Sequence, residues 1–309
     1  MQKEHVERAM PFLGQLRRLE HCCAGAVNLV CEAENAQGEF IVKFYDQRFK
    51  DQVEVQTALL EKLRLPVPHP MRFEGKLFFP IGNRLGVVYP KLSGETKKAF
   101  AVEELQQVGA FLGAFHTLPD AQKFKGPERK LYDLSDDRIA SIVELAMNAG
   151  LPRQELLHEG SALLKNLRLP SALPTGAVHV DVKPDNILFQ AGQLSGVLDF
   201  DNMHRGVFLV DLAKAMMWFG MKGKTFNLGT ARAVLKGYET ARPLNPEEKV
   251  LLTKALHFAF VSHIVVDFEM RALRFTTEEY FAYITGDFYS AYLAFRALPE
   301  AEVKEGLGV

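Results

Sequence analysis

The chain has 309 residues, 48% of them hydrophobic, enough to bury one large core or two smaller ones. A formal net charge of −1 offers no basic field for gripping a nucleic-acid backbone. The opening M-Q-K-E-H-V-E-R-A-M lacks an apolar signal stretch, and the most apolar later run, Ala255–Val266, holds His257 and His263 and is too short to cross a bilayer. The expectation is a soluble, cytoplasmic protein with neither membrane nor nucleic-acid partner. Cys22, Cys23 and Cys31 have no metal-ligand spacing and form no paired framework.

Residues 2–15 read as a short helix, followed by strands at Leu16–His21 and Val27–Ala33 with a turn at Ala24-Gly25-Ala26. The polar run Glu34–Gly38 is a hairpin loop, and the chain returns as E-F-I-V-K-F-Y over Glu39–Tyr45. That strand is apolar on both faces, as an interior strand should be. It nevertheless contains Lys43, whose ammonium needs a partner if it is buried. Helical spacing over Phe49–Leu63 puts Glu54 in the first turns, with Glu61 as a second carboxylate on the same helix. Leu65–Pro70 breaks the helix. Strands at Met71–Phe79 and Arg84–Tyr89 then lead into Pro90-Lys91-Leu92-Ser93-Gly94, where a β-rich unit of residues 1–92 gives way to a helical unit of residues 93–309.

Leu105, Val108, Phe111, Leu112 and Phe115 form one apolar stripe on a helix over Val102–Leu118. Gly109 and Gly113 on it allow a neighbour to approach closely, and His116 at its end reads as a packing or capping residue. Further helices are expected at 134–150, capped by Ser135, and at 153–167. Beyond residue 210 they are expected from Asp211 to Phe219 and at 246–260, 261–274 and 277–297.

Between these helices lies V-H-V-D-V-K-P-D-N-I-L-F-Q-A-G-Q-L-S-G-V-L-D-F-D, Val178–Asp201. Ile187–Phe189 and Leu194–Leu198 read as two strands joined at Ala191-Gly192-Gln193, a hairpin whose ends meet. Asp181, Asn186 and Asp199 should therefore converge, offering the hard oxygen donors that Mg²⁺ prefers. A polar loop beside a surface hairpin is the plain alternative. The spacing is more specific than that: five residues from Asp181 to Asn186 and thirteen more to Asp199 is the layout of a kinase catalytic loop and its metal-binding Asp.

On these residues the chain resembles the aminoglycoside phosphotransferase and choline kinase superfamily. The likeness extends from Asn28 and Lys43 through Leu112-Gly113-Ala114-Phe115-His116 to Asp211-Leu212-Ala213, and L-P-T-G-A-V-H-V-D-V-K-P-D-N-I-L-F over Leu173–Phe189 is closest to type II homoserine kinases. The resemblance implies an α+β, protein-kinase-like bilobal fold: a small antiparallel sheet with one helix, and a larger helical lobe. It implies ATP and Mg²⁺ as cofactors and a small-molecule hydroxyl as acceptor. Asp181 would take or orient the hydroxyl proton, Asn186 and Asp199 would hold the metal, and Lys43, paired with Glu54, would neutralise the phosphates. Backbone at Tyr89–Leu92 would bond the adenine edge. His179 and Asp211 would support the loop. Lys183, in a Lys-Pro pair like that of protein kinases, would contact the transferred phosphate or be a surface lysine. Val180 departs from the family, which usually has Gly or Ala there.

A protein kinase is the competing reading, and a catalytically inactive nucleotide-binding regulator a third. Against the former, the N-terminal strands lack G-x-G-x-x-G, and the eleven residues between Asp199 and Asp211 leave little room for a peptide-docking segment. Against the latter, Lys43, Asp181, Asn186 and Asp199 are all present. For the acceptor, Asp201, Asp267 and Arg271 are the candidate contacts, within an acidic set that also includes Asp133, Asp136, Asp137 and Glu269 beside Arg138 and Arg274. An amino acid such as homoserine would want one arginine for its carboxylate and one acid for its amine; amino alcohols and aminoglycosides remain open.

Overall fold

The computed structural model describes residues 2–21, 28–126 and 134–309; Cys22, Cys23, the 24–26 turn and Asp133 lie outside them. After helix α1 (Lys3–Ala9) come strands β1 (Arg18–His21), β2 (Leu29–Asn35) and β3 (Gly38–Asp46), helix α2 (Lys50–Leu60), and strands β4 (Phe79–Ile81) and β5 (Arg84–Pro90). The strands form one antiparallel sheet in the order β1-β2-β3-β5-β4, so β3 is central, as its two apolar faces require. Asn35 closes the β2–β3 turn by accepting from the backbone N–H groups of Gln37 and Gly38. On one face Val42, Phe44 and Val88 pack with Val6, Met10, Leu13 and Leu16 into a dry layer. On the other, Ile41, Tyr45, Val87 and Tyr89 meet Val53 of α2, and Lys43 shares that face because side chains alternate along a strand.

The strand expected over Met71–Phe79 is largely absent. Glu74 and Gly75 both have positive φ, reversing the chain within a single Phe73–Lys76 bridge, so continuous pairing starts only at Phe79.

Past residues 91–101 the chain is mostly helical. It forms α3 (Val102–Thr117), α4 (Pro119–Gln122), α5 (Asp136–Asn148) and α6 (Gln154–Leu167), then the short strands β6 (Thr175–Val178), β7 (Ile187–Gln190), β8 (Gln193–Val197) and β9 (His204–Val207). Helices α7 (Phe208–Gly220) and α8 (Leu228–Ala241) are joined by the small hairpin of β10 (Met221–Lys222) and β11 (Thr225–Phe226). Then follow α9 (Pro246–Ala272), α10 (Glu278–Tyr283), a π-helical turn at Ile284–Phe288, α11 (Tyr289–Arg296) and α12 (Glu300–Leu307). The expected break at 260/261 does not occur: between Pro246 and Ala272 no further Pro or Gly interrupts the ladder, and α9 runs unbroken through the core. Its length and hydropathy would suit a membrane, yet 61% of its most apolar stretch is buried inside the protein.

Helices α3 and α8 touch backbone to backbone. A Cβ on Gly109 would lie 1.9 Å from the Val234 carbonyl oxygen, and one on Gly237 would lie 1.9 Å from that of Gln106. That seam slides Tyr238 of α8 beneath His116 of α3. Ribbons β6–β9 and β7–β8, both antiparallel, frame the loops at 179–186 and 198–203.

Candidate active site

The loop after β6 is hung from one buried carboxylate. Asp211, on the first turn of α7, accepts from the backbone N–H of His179 at 2.6 Å and of Val180 at 2.7 Å. Behind it lies a directional chain: Arg242 donates to the Tyr238 hydroxyl (3.0 Å), Tyr238 donates to His116 Nδ1 (2.8 Å), and His116 Nε2–H donates to Asp211 (3.1 Å). Arg242 is itself held by Glu248 at 2.9 Å. Burial pushes the His116 pKa down, keeping the ring neutral, as one donor and one acceptor nitrogen require. Burial alone would raise Asp211, but the hydrogen bond from His116 and the backbone donors hold it below the usual carboxylate value.

His179 splints the same loop to the end of β8: Nε2–H donates to the Leu198 carbonyl (2.9 Å) and Nδ1 accepts from the Asp181 backbone (3.2 Å). Val180 between them has φ +59°, the left-handed region that β-branched residues avoid.

At the open end of the loop, Asn186 Nδ2 donates to the Asp181 carbonyl (2.9 Å) and carboxylate (3.2 Å), leaving the Asn186 side-chain oxygen as the atom that could hold a metal. The Asn186 carbonyl accepts from Leu198 N–H at 2.8 Å, tying the loop to the segment that carries Asp199. Lys183 Nζ sits 3.0 Å from the Asp181 carboxylate. Lys43 crosses from the sheet to reach Asp199 at 2.9 Å and Asp201 at 2.6 Å. Burial would lower its pKa, but the two aspartates raise it well above the usual lysine value, so it stays charged. Asp199 also has positive φ and remains 40% exposed, a carboxylate turned toward the cleft.

Two expectations about this cluster are corrected. Glu54 does not reach Lys43; its carboxylate is 3.5 Å from Lys50 on the outer side of α2, and the competing Glu61 pairs with Arg72. The residues α2 turns toward the cleft are Gln52 and Gln56, which donate to the Asp201 carbonyl and carboxylate. Asp201 is thus no acceptor contact: it stands under the sheet, bonded by Asn28 at 2.6 Å and Tyr45 at 3.4 Å, and supplies the carboxylate expected from Glu54. Their i,i+4 spacing on α2 was the available signal. The Tyr89 side chain points back into the sheet face and pairs with the Tyr45 hydroxyl. Leu92 packs over Gly196, and Glu95 pairs both ways with Phe189, so residues 92–95 lie against the β7–β8 hairpin.

A second charged group lies between α7 and α9, behind Asp181. Lys214 is 3% exposed and Asp267 4%. Burial pushes Lys214 down to about 8 against the pull of Asp181, Asp267 and Asp211, and pushes Asp267 up to about 8 against that of Lys214 and Lys183. Asp267 Oδ2 lies 3.1 Å from His263 Nε2, which bonds the Tyr280 hydroxyl at 3.2 Å, and makes no hydrogen bond itself. Arg271 does not join Asp267. It donates to the Thr276 carbonyl and pairs with Glu278, fixing the end of α9. Glu269 is taken by Arg138 and Asp136 by Arg168.

Residues 22–244 match the family model described as "Phosphotransferase enzyme family". A homoserine kinase of Sinorhizobium medicae is 27% identical over 250 residues, covering 76% of this chain and 74% of its own. An amicoumacin kinase solved in complex with AMP-PNP, Ca²⁺ and Ami superposes over 99% of this chain and 94% of its own, with a TM-score of 0.66 at 16% identity. Choline kinase LicA from Streptococcus pneumoniae does so over 96% and 99%, with 0.65 at 14%. At such identities the structural likenesses speak for the bilobal kinase-like fold.

Proposed function

We propose that this chain, which belongs to the phosphotransferase enzyme family, moves the γ-phosphate of ATP to the hydroxyl of a small amino-acid acceptor such as homoserine. The observation that carries this reading is the meeting of Lys43, Asp199 and the Asp181–Asn186 pair in one cleft. The acceptor class draws on the curated relative, a homoserine kinase, and the nucleotide on the AMP-PNP bound to the structural neighbour.

Asp199 and the free oxygen of Asn186 are hard donors that suit Mg²⁺, which would supply charge neutralisation to the β- and γ-phosphates when bound. Lys43 presents a permanent positive charge to the phosphates from the sheet side, and backbone at residues 89–92 faces the base. Asp181 holds the acceptor hydroxyl in line with the γ-phosphorus. As the new oxygen–phosphorus bond forms and the bond to the ADP oxygen breaks, Asp181 receives the hydroxyl proton. Lys183, 3.0 Å from Asp181, is placed to stabilise charge on the moving phosphoryl group. The sheet lobe of residues 1–92 and the helical lobe of 93–309 divide this work.

The span from Asp199 to α7 favours a small acceptor over a peptide: one turn at Phe200–Asn202 and strand β9 fill it. Mg²⁺-dependent ADP release with homoserine, choline, ethanolamine, sugars and aminoglycosides tests the reading. Stimulation by homoserine is expected. Tight Mg-ATP binding with no stimulation by any acceptor would overturn it.

A further inference from the structure

From Asp211 to Gly220 every residue of helix α7 is buried except Trp218, the only tryptophan in the chain. Its indole stands beside the catalytic loop, with the Lys183 ammonium 5.9 Å from the ring centre. The same ammonium is 3.0 Å from the Asp181 carboxylate, and the Lys183 side chain is 26% exposed. One partly open lysine thus meets both the base and the ring. The ring itself is held firmly: His263 packs edge-on against it at 5.0 Å, and Phe288, fully buried in the π-helical turn, meets it at 5.6 Å. Burial, with Lys214 and Lys183 nearby, pushes the His263 pKa well down, so the imidazole is neutral and brings no second cation to the indole.

Pro184 restrains the backbone after Lys183, but the lysine stem stays flexible. Asp181 attracts its ammonium through an N–H donor, and phosphate oxygens would do the same. A ring face attracts the charge without occupying a donor, so it can keep hold of the ammonium while the hydrogen-bond partner changes. We propose that Trp218 is a positioning residue for phosphoryl transfer, its ring keeping the Lys183 ammonium at the cleft as the lysine passes from Asp181 to the transferred phosphoryl group. The inference rests on the kinase reading above. Trp218 acts through Lys183 and does not touch the reacting atoms. A leucine in its place keeps an apolar contact with the lysine stem and frees the ammonium to turn toward water.

The test is a double-mutant cycle on the intact protein with Mg-ATP and homoserine, or whichever hydroxyl acceptor of the panel is turned over. Trp218→Leu should lower kcat about 5-fold, the scale of one cation–π contact, with KM for both substrates little changed. Trp218→Phe, which retains a ring face, should recover most of that loss. In a Lys183→Met background Trp218→Leu should cost nothing further, because the group it positions is gone. An equal loss in both backgrounds would make Trp218 a packing residue and overturn the proposal, as would full kcat in Trp218→Leu. If Trp218→Leu does not fold, fluorescence decides. Saturating Mg-ATP should change the emission of the lone tryptophan in the wild type and leave it unchanged in Lys183→Met; the same response in both proteins would overturn the proposal. No ADP release with any acceptor would instead bring down the kinase reading, and the proposal with it.

Discussion

Asp211 and Lys214 are buried charges three residues apart on α7, and their surroundings could hardly differ more. Asp211 receives two backbone N–H groups and a histidine N–H, and every donor behind it back to Arg242 points the same way. Lys214 sits among carboxylates that together fail to offset its burial, beside an aspartate whose own charge is penalised. A satisfied charge fixes geometry, because any shift breaks bonds that nothing replaces. The helix thus carries, on adjacent turns, a charge held by hydrogen bonds and one penalised by burial.

The sharpest cut falls on Asp181, carried by the loop that Asp211 holds. Asp181→Ala should lower kcat by about 10²–10⁴-fold with Mg-ATP affinity held, read in steady-state kinetics beside a nucleotide titration. Next comes the support. Asp211→Asn removes one acceptor from two buried backbone donors, and should cost about 1–3 kcal/mol of unfolding free energy in a denaturant titration. Lys214→Met should show the opposite sign, neutral or stabilising at pH 7 by about 1 kcal/mol. The unfolded chain keeps the Lys214 proton up to the ordinary 10.5, whereas the folded protein gives it up near 8, so wild-type stability climbs as pH rises through that window. The advantage of Lys214→Met should therefore be full below about pH 8 and fade toward 10.5; an advantage growing with pH would contradict it. The smallest effect is expected at Val180. Its positive φ offsets the lost side-chain burial, so Val180→Gly should stay within about 1 kcal/mol of wild type, while Val178→Gly, also buried but in a strand, should cost more.

Much of the support was readable from spacing. Asp181, Asn186 and Asp199 could be named because a hairpin of known length returns its ends to one place, and Lys43 because a lysine inside an interior strand needs a partner. Gly109 and Gly113 announced a close helix contact without naming the partner, since α8 was not foreseen and Tyr238 with it. The partner of Lys43 could not be read in order along the chain. Two carboxylates sat on α2, but the side facing the cleft has glutamines, and the aspartates that bind Lys43 come from more than 150 residues away. Lys214 did leave a trace. It interrupts F-L-V-D-L-A-K-A-M-M-W-F-G as Lys43 interrupts its strand, and the same reasoning about buried ammonium groups applies to both.

The Lys43 contacts have a thermodynamic consequence. Before nucleotide arrives, Lys43 and Asp199 neutralise each other. Phosphates arriving alone would draw the lysine from Asp199; a divalent ion arriving alone would take Asp199 and leave Lys43 to Asp201 alone. Arriving together, they exchange one ion pair for two. Metal and nucleotide should therefore show positive heterotropic linkage, each raising the other's affinity by the same factor, and Lys43→Met should lower that factor rather than merely weaken either ligand.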